Sequence, residues 1–353
     1  MSVETREPSL DFGRCLANYM IVLLHAWGAA SQYGTVGSVE LAGWTMVASY
    51  GCNFALSALF VISGYLLFRC YELSVWPRKI VRRVRRLMVP YVCWNVVFVL
   101  FYLSVARFFP RVGERVAAFG LDTWRGVLAK IAHPVAVPID VPVWYLRAVF
   151  VFALLSPALW ALLRHRVGRW IGLTAVAGWY LLDGVWGVVP GVPGYPTDAL
   201  LAFSAGGLLA AGGTSPGTFF KSRWWLVPAV AALALDGWDA ACGEGACPVA
   251  LSLRMLMKTP AFFWALERLA GIGLFARAAR LLAGSAFFVY AGHFLFCSVW
   301  VHAIGPKLGG LAAGRMTVLM FLFLVPGLAG LYAAYALGRR YLPKVLRFFD
   351  GTL

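Results

Sequence analysis

Four polar residues near the start of the chain have a spacing that could build a chemical site. Intervals of 3, 4 and 7 residues separate Asp11, Arg14, Asn18 and His25. At about 100° per residue all four lie on one face of a helix, and Arg14 and His25 are about 16 Å apart along it. An imidazole exchanges protons near neutral pH. Arg14 could simply anchor the helix at the membrane boundary beside Asp11, with His25 as a packing residue, but the alignment favours a site.

A second imidazole, His293, follows Tyr290 by one helical turn late in the chain. If each imidazole lies in a membrane-spanning helix, His25 is about 17 Å and His293 about 14 Å from the cytoplasmic end of its helix. The two imidazoles can therefore meet if their helices touch. In the alternative interpretation, Tyr290 and His293 only bond each other between helices.

A dense basic run lies between two apolar segments. Six of the nine residues from 78 to 86 are Lys or Arg. Helical spacing places Arg82 beside Arg86, and Arg83 one turn from Arg86. Guanidinium groups bind phosphates bidentately, so the run suits either anionic lipid headgroups or a phosphorylated ligand. Composition alone favours the lipids.

The composition indicates what kind of molecule holds these residues. The chain has 353 residues, of which 61% are hydrophobic and 13% charged, and its net charge is +16. Soluble domains carry roughly a quarter charged residues. A surplus of positive charge on a soluble protein would suggest nucleic acid. Here the basic residues separate long apolar runs, so we expect a lipid bilayer and no nucleic acid as the partner.

The apolar runs predict an all-α polytopic membrane protein, because barrel strands would be about ten residues of alternating polarity. Lys and Arg number 21 on the side of the N-terminus and nine on the other side, which predicts that both termini are cytoplasmic. One integral-membrane domain, 1–353, is expected, with a short head at 1–12 and a tail from about 339 to 353. The ten predicted spans are about 14–33, 45–68, 87–106, 144–163, 169–189, 197–213, 224–240, 250–267, 284–303 and 315–338.

Two cysteines, Cys242 and Cys247, share a predicted outer loop. A disulfide there would suit an oxidising exterior. Two separate thiols are an equal alternative, because the sequence does not define their Cα separation. No spacing of Cys and His resembles a zinc site, so no metal is predicted.

Taken in chain order, the motifs resemble those of the membrane acyltransferase family 3. They are most similar to those of its stand-alone O-acetyltransferases of surface polysaccharides. The resemblance is collinear from about residue 11 to the last span. It rests on Asp11-x-x-Arg14 with His25, Ser63-Gly64-Tyr65, Arg83-x-x-Arg86 with Pro90-Tyr91, Trp144-Tyr145-Leu146, Ser156-Pro157, and Phe287-x-x-Tyr290-x-x-His293.

The resemblance implies transfer of an acyl group, usually acetyl, from cytoplasmic acyl-CoA to a hydroxyl of a cell-surface glycan or its lipid-linked precursor. It also implies a multi-pass protein of the bacterial cytoplasmic membrane, with acetyl-CoA as a co-substrate and no permanently bound cofactor. Acyl transfer to an alcohol needs a base, and we assign that role to His25. The other catalytic candidates are Arg14, His293 and Tyr290, the last two as oxyanion donors or for positioning the acceptor.

The remaining candidates are binding residues. Arg83 and Arg86, with Arg82 and Arg14, would hold the CoA phosphates. Trp144, Arg147 and Asn18 would contact the substrate, although Trp144 also suits an aromatic belt.

A multi-pass transporter of a glycan or small solute is the rival function. Internal acidic residues at Asp183, Asp198 and Asp236, together with two His residues, would suit a proton-coupled carrier. However, these three acids lie near predicted outer helix ends, and the sequence shows no inverted repeat.

Overall fold

The computed structural model describes residues 7–33, 49–132, 137–188, 191, 194–243, 245–247, 249–311 and 313–352. Within these ranges the chain is helical and has no strand, which confirms the predicted all-α class. Part of the predicted cytoplasmic head (1–6) and the start of the second predicted span (45–48) lie outside the described residues.

The α-helices, in chain order, are α1 (Pro8–Ser31), α2 (Ala55–Phe68), α3 (Trp76–Arg83), α4 (Val89–Val105), α5 (Pro110–Ala118), α6 (Trp124–Ala132), α7 (Trp144–Leu154), α8 (Ser156–Leu163), α9 (Arg166–Tyr180), α10 (Thr197–Ala211), α11 (Pro216–Phe219), α12 (Leu226–Cys242), α13 (Leu251–Ala270), α14 (Gly273–Val299), α15 (Ala313–Tyr341) and α16 (Pro343–Asp350). Single π-helical turns cover Val84–Met88, Leu181–Val185 and Trp300–Ile304. The first of them joins α3 to α4.

Four helical segments of the described chain are long and apolar enough to cross a membrane, which makes this a multi-pass membrane protein. They are Leu73–Val105, Arg223–Cys242, Leu281–Lys307 and Arg315–Tyr341. The pair α7 and α8, bent by 59°, would make a fifth span. The apolar helices α2 and α10 have 14 and 15 residues, or about 21 to 23 Å, against a hydrocarbon core of about 30 Å. Ten spans and cytoplasmic termini therefore remain predictions.

Helices α2 and α10 approach each other so closely that only glycine fits between them. A Cβ atom on Gly64 would lie 1.9 Å from the Phe203 carbonyl oxygen, and one on Gly206 would lie 2.0 Å from the Val61 carbonyl oxygen. Small residues allow helix backbones to meet in this way inside a membrane protein. The contact fixes the orientation of α2, which carries Ser63.

Helix α1 packs along α14, with further contacts to α2, α13 and α15. Its buried face is apolar and small, including Ala17, Ile21 and Ala26. Because α1 and α14 lie side by side, polar residues on their facing sides can meet within the bundle. This pairing positions the two imidazoles.

Helices α12 and α13 hold a buried group of four charges. Asp236 accepts from the Arg254 guanidinium at 2.7 Å and from the Lys258 ammonium at 2.6 Å. A second carboxylate, Asp239, accepts from Arg254 at 2.5 Å. Lys258 also donates to the Tyr50 carbonyl at 2.6 Å. The two acids and two bases balance, which explains how the charged eighth predicted span forms one continuous helix.

Cys242 and Cys247 are separate thiols in the structure. Cys242 is exposed, whereas Cys247 is buried. The Cys247 backbone N–H donates to the Asp239 carboxylate at 2.6 Å. The turn after α12 is thereby tied to the charge group of α12 and α13.

Candidate active site

The imidazoles of His25 and His293 meet between α1 and α14. His25 Nδ1 lies 3.0 Å from His293 Nε2. The rings are stacked, with centroids 5.2 Å apart and planes inclined by 17°. His293 is fully buried and His25 half-buried. The structure therefore brings together two residues that are 268 positions apart in the sequence.

The hydrogen bonds of this pair assign its tautomers. His293 Nδ1 contacts the backbone carbonyl of Tyr290, one turn earlier in α14. A carbonyl only accepts, so Nδ1 of His293 carries the hydrogen and Nε2 is its acceptor. Nδ1 of His25 must then donate to His293 Nε2. The lone pair of His25 is left on Nε2, the nitrogen that faces away from the pair.

Aromatic rings line the apolar side of the histidine pair. The Phe294 ring meets the His25 ring edge-on, with centroids 5.5 Å apart, and stacks on Phe98. The hydroxyl of buried Tyr290 donates to the Pro142 carbonyl at 2.5 Å. Tyr290 therefore supplies a backbone acceptor to His293 while its hydroxyl ties α14 to the segment before α7.

A second polar group lies where α1, α2, α7 and the end of α3 converge. The Tyr145 hydroxyl is 2.6 Å from the Ser63 hydroxyl, and it donates to the Leu59 carbonyl at 3.3 Å. The positive charges of Arg14 and Arg83 both act on the Tyr145 hydroxyl. Ser63 and Tyr145 were not among the predicted site residues. The signal that could have identified them is a hydroxyl group inside an otherwise apolar run.

The stripe on α1 connects the two groups. Arg14 is exposed near the start of the helix, Asn18 is half-buried one turn later, and His25 follows two turns further on. The predicted pairing of Arg14 with Asp11 stays a prediction. The positive charge of Arg14 acts on Arg83 and Tyr145.

The basic run divides into two faces. Arg82 and Arg86 are exposed and line a surface groove of about 450 Å³ together with Pro77, Arg78, Val81 and Arg85. Arg83 is half-buried and lies within electrostatic range of Arg14, Arg86 and Tyr145. The groove is therefore a concentrated cationic surface, and Arg83 links it to the interior.

The predicted substrate residues on α7 have aromatic neighbours. Arg147 is 4% exposed, hydrogen-bonds Tyr91, and lies over the Tyr195 ring with its guanidinium 5.5 Å from the centroid. Trp144 is half-buried and packs on Phe60 at 5.9 Å. The two side chains therefore have different neighbours.

Asp140, just before α7, is a buried carboxylate that the sequence did not single out. The Asn95 side chain accepts from the backbone N–H groups of Ile139 and Asp140 at 3.1 and 3.2 Å, which fixes the segment. Asp140 is fully buried, and among the described residues neither of its carboxylate oxygens has a hydrogen-bond partner. Burial raises the pKa of the Asp140 carboxyl well above its usual value.

Comparison with known proteins identifies the family of this chain. The family model described as an acyltransferase domain, that of membrane acyltransferase family 3, matches residues 7–337. No curated protein and no solved structure matches the chain. The match covers α1 with His25, the basic run, and α14 with His293. The chain therefore belongs to membrane acyltransferase family 3 and is a membrane acyltransferase.

Proposed function

We propose that this acyltransferase transfers an acetyl group from cytoplasmic acetyl-CoA to a hydroxyl of a cell-surface glycan or its lipid-linked precursor, with His25 as the general base. The observation that carries the proposal is the orientation of His25. Its Nδ1–H is held by His293, which leaves the lone pair of Nε2 available. An imidazole held in one tautomer in this way is suited to remove a proton from an alcohol.

The transfer balances without any further reagent. His25 Nε2 takes the proton of the acceptor hydroxyl as the hydroxyl oxygen forms a bond to the thioester carbonyl carbon. The C–S bond then breaks, and the CoA thiolate leaves and takes the proton from His25. While His25 is cationic, its Nδ1–H remains bonded to His293. The product is an ester on the glycan, and free CoA is released.

The basic residues support a donor that carries phosphates. Four arginines line the groove beside α3, and Arg83 and Arg14 extend the positive charge toward Tyr145. Guanidinium groups bind phosphate bidentately, which suits the several phosphates of CoA. In this proposal Arg82 and Arg86 hold phosphates in the groove. Arg83 and Arg14 guide the pantetheine arm past Tyr145, toward Asn18 and His25.

The structure suggests positioning roles, rather than oxyanion donation, for the late motif. His293 uses both ring nitrogens, one on His25 and one on the Tyr290 carbonyl. The Tyr290 hydroxyl is engaged by Pro142. We therefore propose that His293 orients His25 and that Tyr290 orients His293. Trp144 and Arg147 remain proposed contacts for the acceptor.

Membranes containing the protein, supplied with radiolabelled acetyl-CoA and the envelope glycans of the host, test the function directly. Wild-type protein should label the glycan fraction. His25→Ala should reduce labelling by at least about a hundredfold, because the base is lost. His165→Ala is the matched control, since His165 is exposed and, among the described residues, its imidazole accepts a hydrogen bond only from Arg164. A His25→Ala protein as active as this control would contradict the assignment of His25.

A further inference from the structure

The last described helix, α16, packs on α4, α14 and α15, at the junction of the elements that carry the proposed site. The Phe349 ring meets the Trp94 ring edge-on, with centroids 5.7 Å apart. The Trp94 indole N–H donates to the Phe349 carbonyl at 3.1 Å. Trp94 is itself buried, so this docking is part of the packed interior rather than a surface contact.

The residue after α16 touches the basic run. Gly351 has a φ of +72°, a backbone conformation that residues other than Gly and Asn rarely adopt. A Cβ atom there would lie 2.7 Å from the Arg86 carbonyl oxygen. Gly351 is therefore needed for two reasons, the left-handed turn and the close approach to Arg86.

Trp94 also contacts α14 on its other side. Its ring lies 5.1 Å from the Phe288 ring, and a Cβ atom on Gly292 would meet the Trp94 ring at 3.0 Å. Gly292 immediately precedes His293. The segment Pro343–Gly351 thus reaches Arg86 directly and reaches the helix of His293 through Trp94.

Arg86 belongs to the π-helical turn Val84–Met88. Such turns are rare in proteins overall, but those that occur are frequently found at functional sites. A side chain placed by this turn moves if the turn relaxes to regular α-helix, because the register of α3 against α4 then changes. The contact of Gly351 with the Arg86 carbonyl lies on this turn.

We propose that Phe349 and Gly351, at the end of the segment Pro343–Gly351, form a clamp that positions Arg86, and with it the cationic groove, relative to α14 and its histidine. This proposal rests on the proposed function, because the positioned arginine is the donor-binding one. The clamp residues act through Arg86 and touch no substrate.

Binding of acetyl-CoA to the purified full-length protein in lipid nanodiscs tests the clamp. Gly351→Asn should raise the Kd for acetyl-CoA about tenfold, since Asn tolerates the turn but its Cβ displaces Arg86. Trp94→Phe, which keeps an aromatic ring but loses the indole N–H, should raise the Kd by about threefold. At saturating acetyl-CoA, Gly351→Asn should keep most of the wild-type kcat, because His25 and His293 remain in place.

Leu346→Ala is the matched control. Leu346 is buried in the same helix and lies against Gly338 of α15. It should lower the Tm while leaving the Kd for acetyl-CoA within about twofold of wild type. Unchanged donor binding in Gly351→Asn, or equal weakening in Leu346→Ala, would overturn the clamp alone. A wild-type protein that bound no acetyl-CoA would overturn the proposed function and the clamp together.

Discussion

At the scale of single residues, the central feature is a histidine whose protonation is controlled by its neighbours. His25 sits on a helix where hydration is scarce, so each ring nitrogen must find a partner or a substrate. The chain from the Tyr290 carbonyl through His293 satisfies one nitrogen of His25 and leaves the other free for chemistry. This arrangement makes a testable distinction between the two histidines.

Replacing His293 should reduce catalysis without reducing donor binding. His293→Ala removes the acceptor for the His25 Nδ1–H, and we expect kcat to fall by about a hundredfold. His293→Gln can place an amide oxygen near the lost Nε2, so it should recover part of that activity. The measurement is steady-state acetyl transfer beside acetyl-CoA binding. Equal activities of the Ala and Gln variants would contradict an orienting role.

The carboxyl group of Asp140 should make stability depend on pH. Its pKa is raised by burial, so the folded protein keeps a proton that the unfolded chain has released. The free energy of unfolding therefore falls as pH rises above the usual carboxyl pKa of about 4. Asp140→Asn removes this dependence, and its Tm advantage over wild type should grow from pH 4.5 to pH 7.5.

Asp122→Asn is the control for that comparison, because Asp122 is exposed in the turn between α5 and α6. Its Tm should run parallel to that of wild type over the same pH range. Thermal unfolding in detergent at several pH values measures both variants. Parallel curves for Asp140→Asn as well would show that its carboxyl titrates alike in the folded and unfolded states.

At the scale of elements, one short helix sorts the arginines into two environments. Arg82 and Arg86 face the open groove, whereas Arg83 turns toward Tyr145 and Arg14. At 0.1 M, salt largely screens the interactions of exposed charges over distances beyond about 10 Å, but it screens buried charges much less. The two environments should therefore differ in their response to ionic strength.

Arg82→Gln and Arg83→Gln should both weaken acetyl-CoA binding, but with different salt dependence. We expect about a tenfold loss for Arg83→Gln that persists at 0.5 M salt, because its surroundings exclude ions. The loss for Arg82→Gln should be largest at low salt and shrink at 0.5 M. Titrations at 0.05 and 0.5 M salt check this. Identical salt responses of the two variants would contradict the assignment of Arg82 and Arg83 to different environments.

The buried charge group of α12 and α13 involves a helix, α13, whose charges lower its hydropathy score. Two bases and a nearby carboxylate in one apolar stretch weaken a hydropathy signal. In the structure Arg254 and Lys258 are buried against Asp236 and Asp239, so the charges neutralise one another inside the bundle. Fixed ion pairs of this kind also occupy Asp236, one of the acids that a proton-coupled carrier would have used.

At the scale of the whole molecule, the predicted topology has ten membrane spans and cytoplasmic termini. The structure supports four or five long spans, and short helices such as α2 and α10 are packed between other helices. Reporter insertions test the predicted ten-span topology. A fluorescent protein inserted after Gly213 should fluoresce if ten spans place that loop in the cytoplasm. The same insertion after Gly120 should not, and fluorescence at both positions would contradict the predicted topology.

Much of this protein follows from the sequence alone. Apolar runs separated by basic residues determine a helical membrane protein, since lipid demands internal backbone hydrogen bonds. The spacing on α1 determines that Arg14, Asn18 and His25 share a face, because the helical period is local. The order of the motifs indicated the acyltransferase family that the family model confirms.

Only the tertiary structure decided which distant residues meet. Contact between His25 and His293 depends on the packing of α1 against α14, which no local pattern encodes. The same holds for Tyr145 with Ser63, and for Gly351 against Arg86, which are 82 and 265 residues apart. Periodicity specifies the face of one helix, whereas the choice of partner depends on how all the helices fit together. The histidines and arginines of the proposed site were therefore readable from the sequence as candidates, whereas the residues that they meet were not.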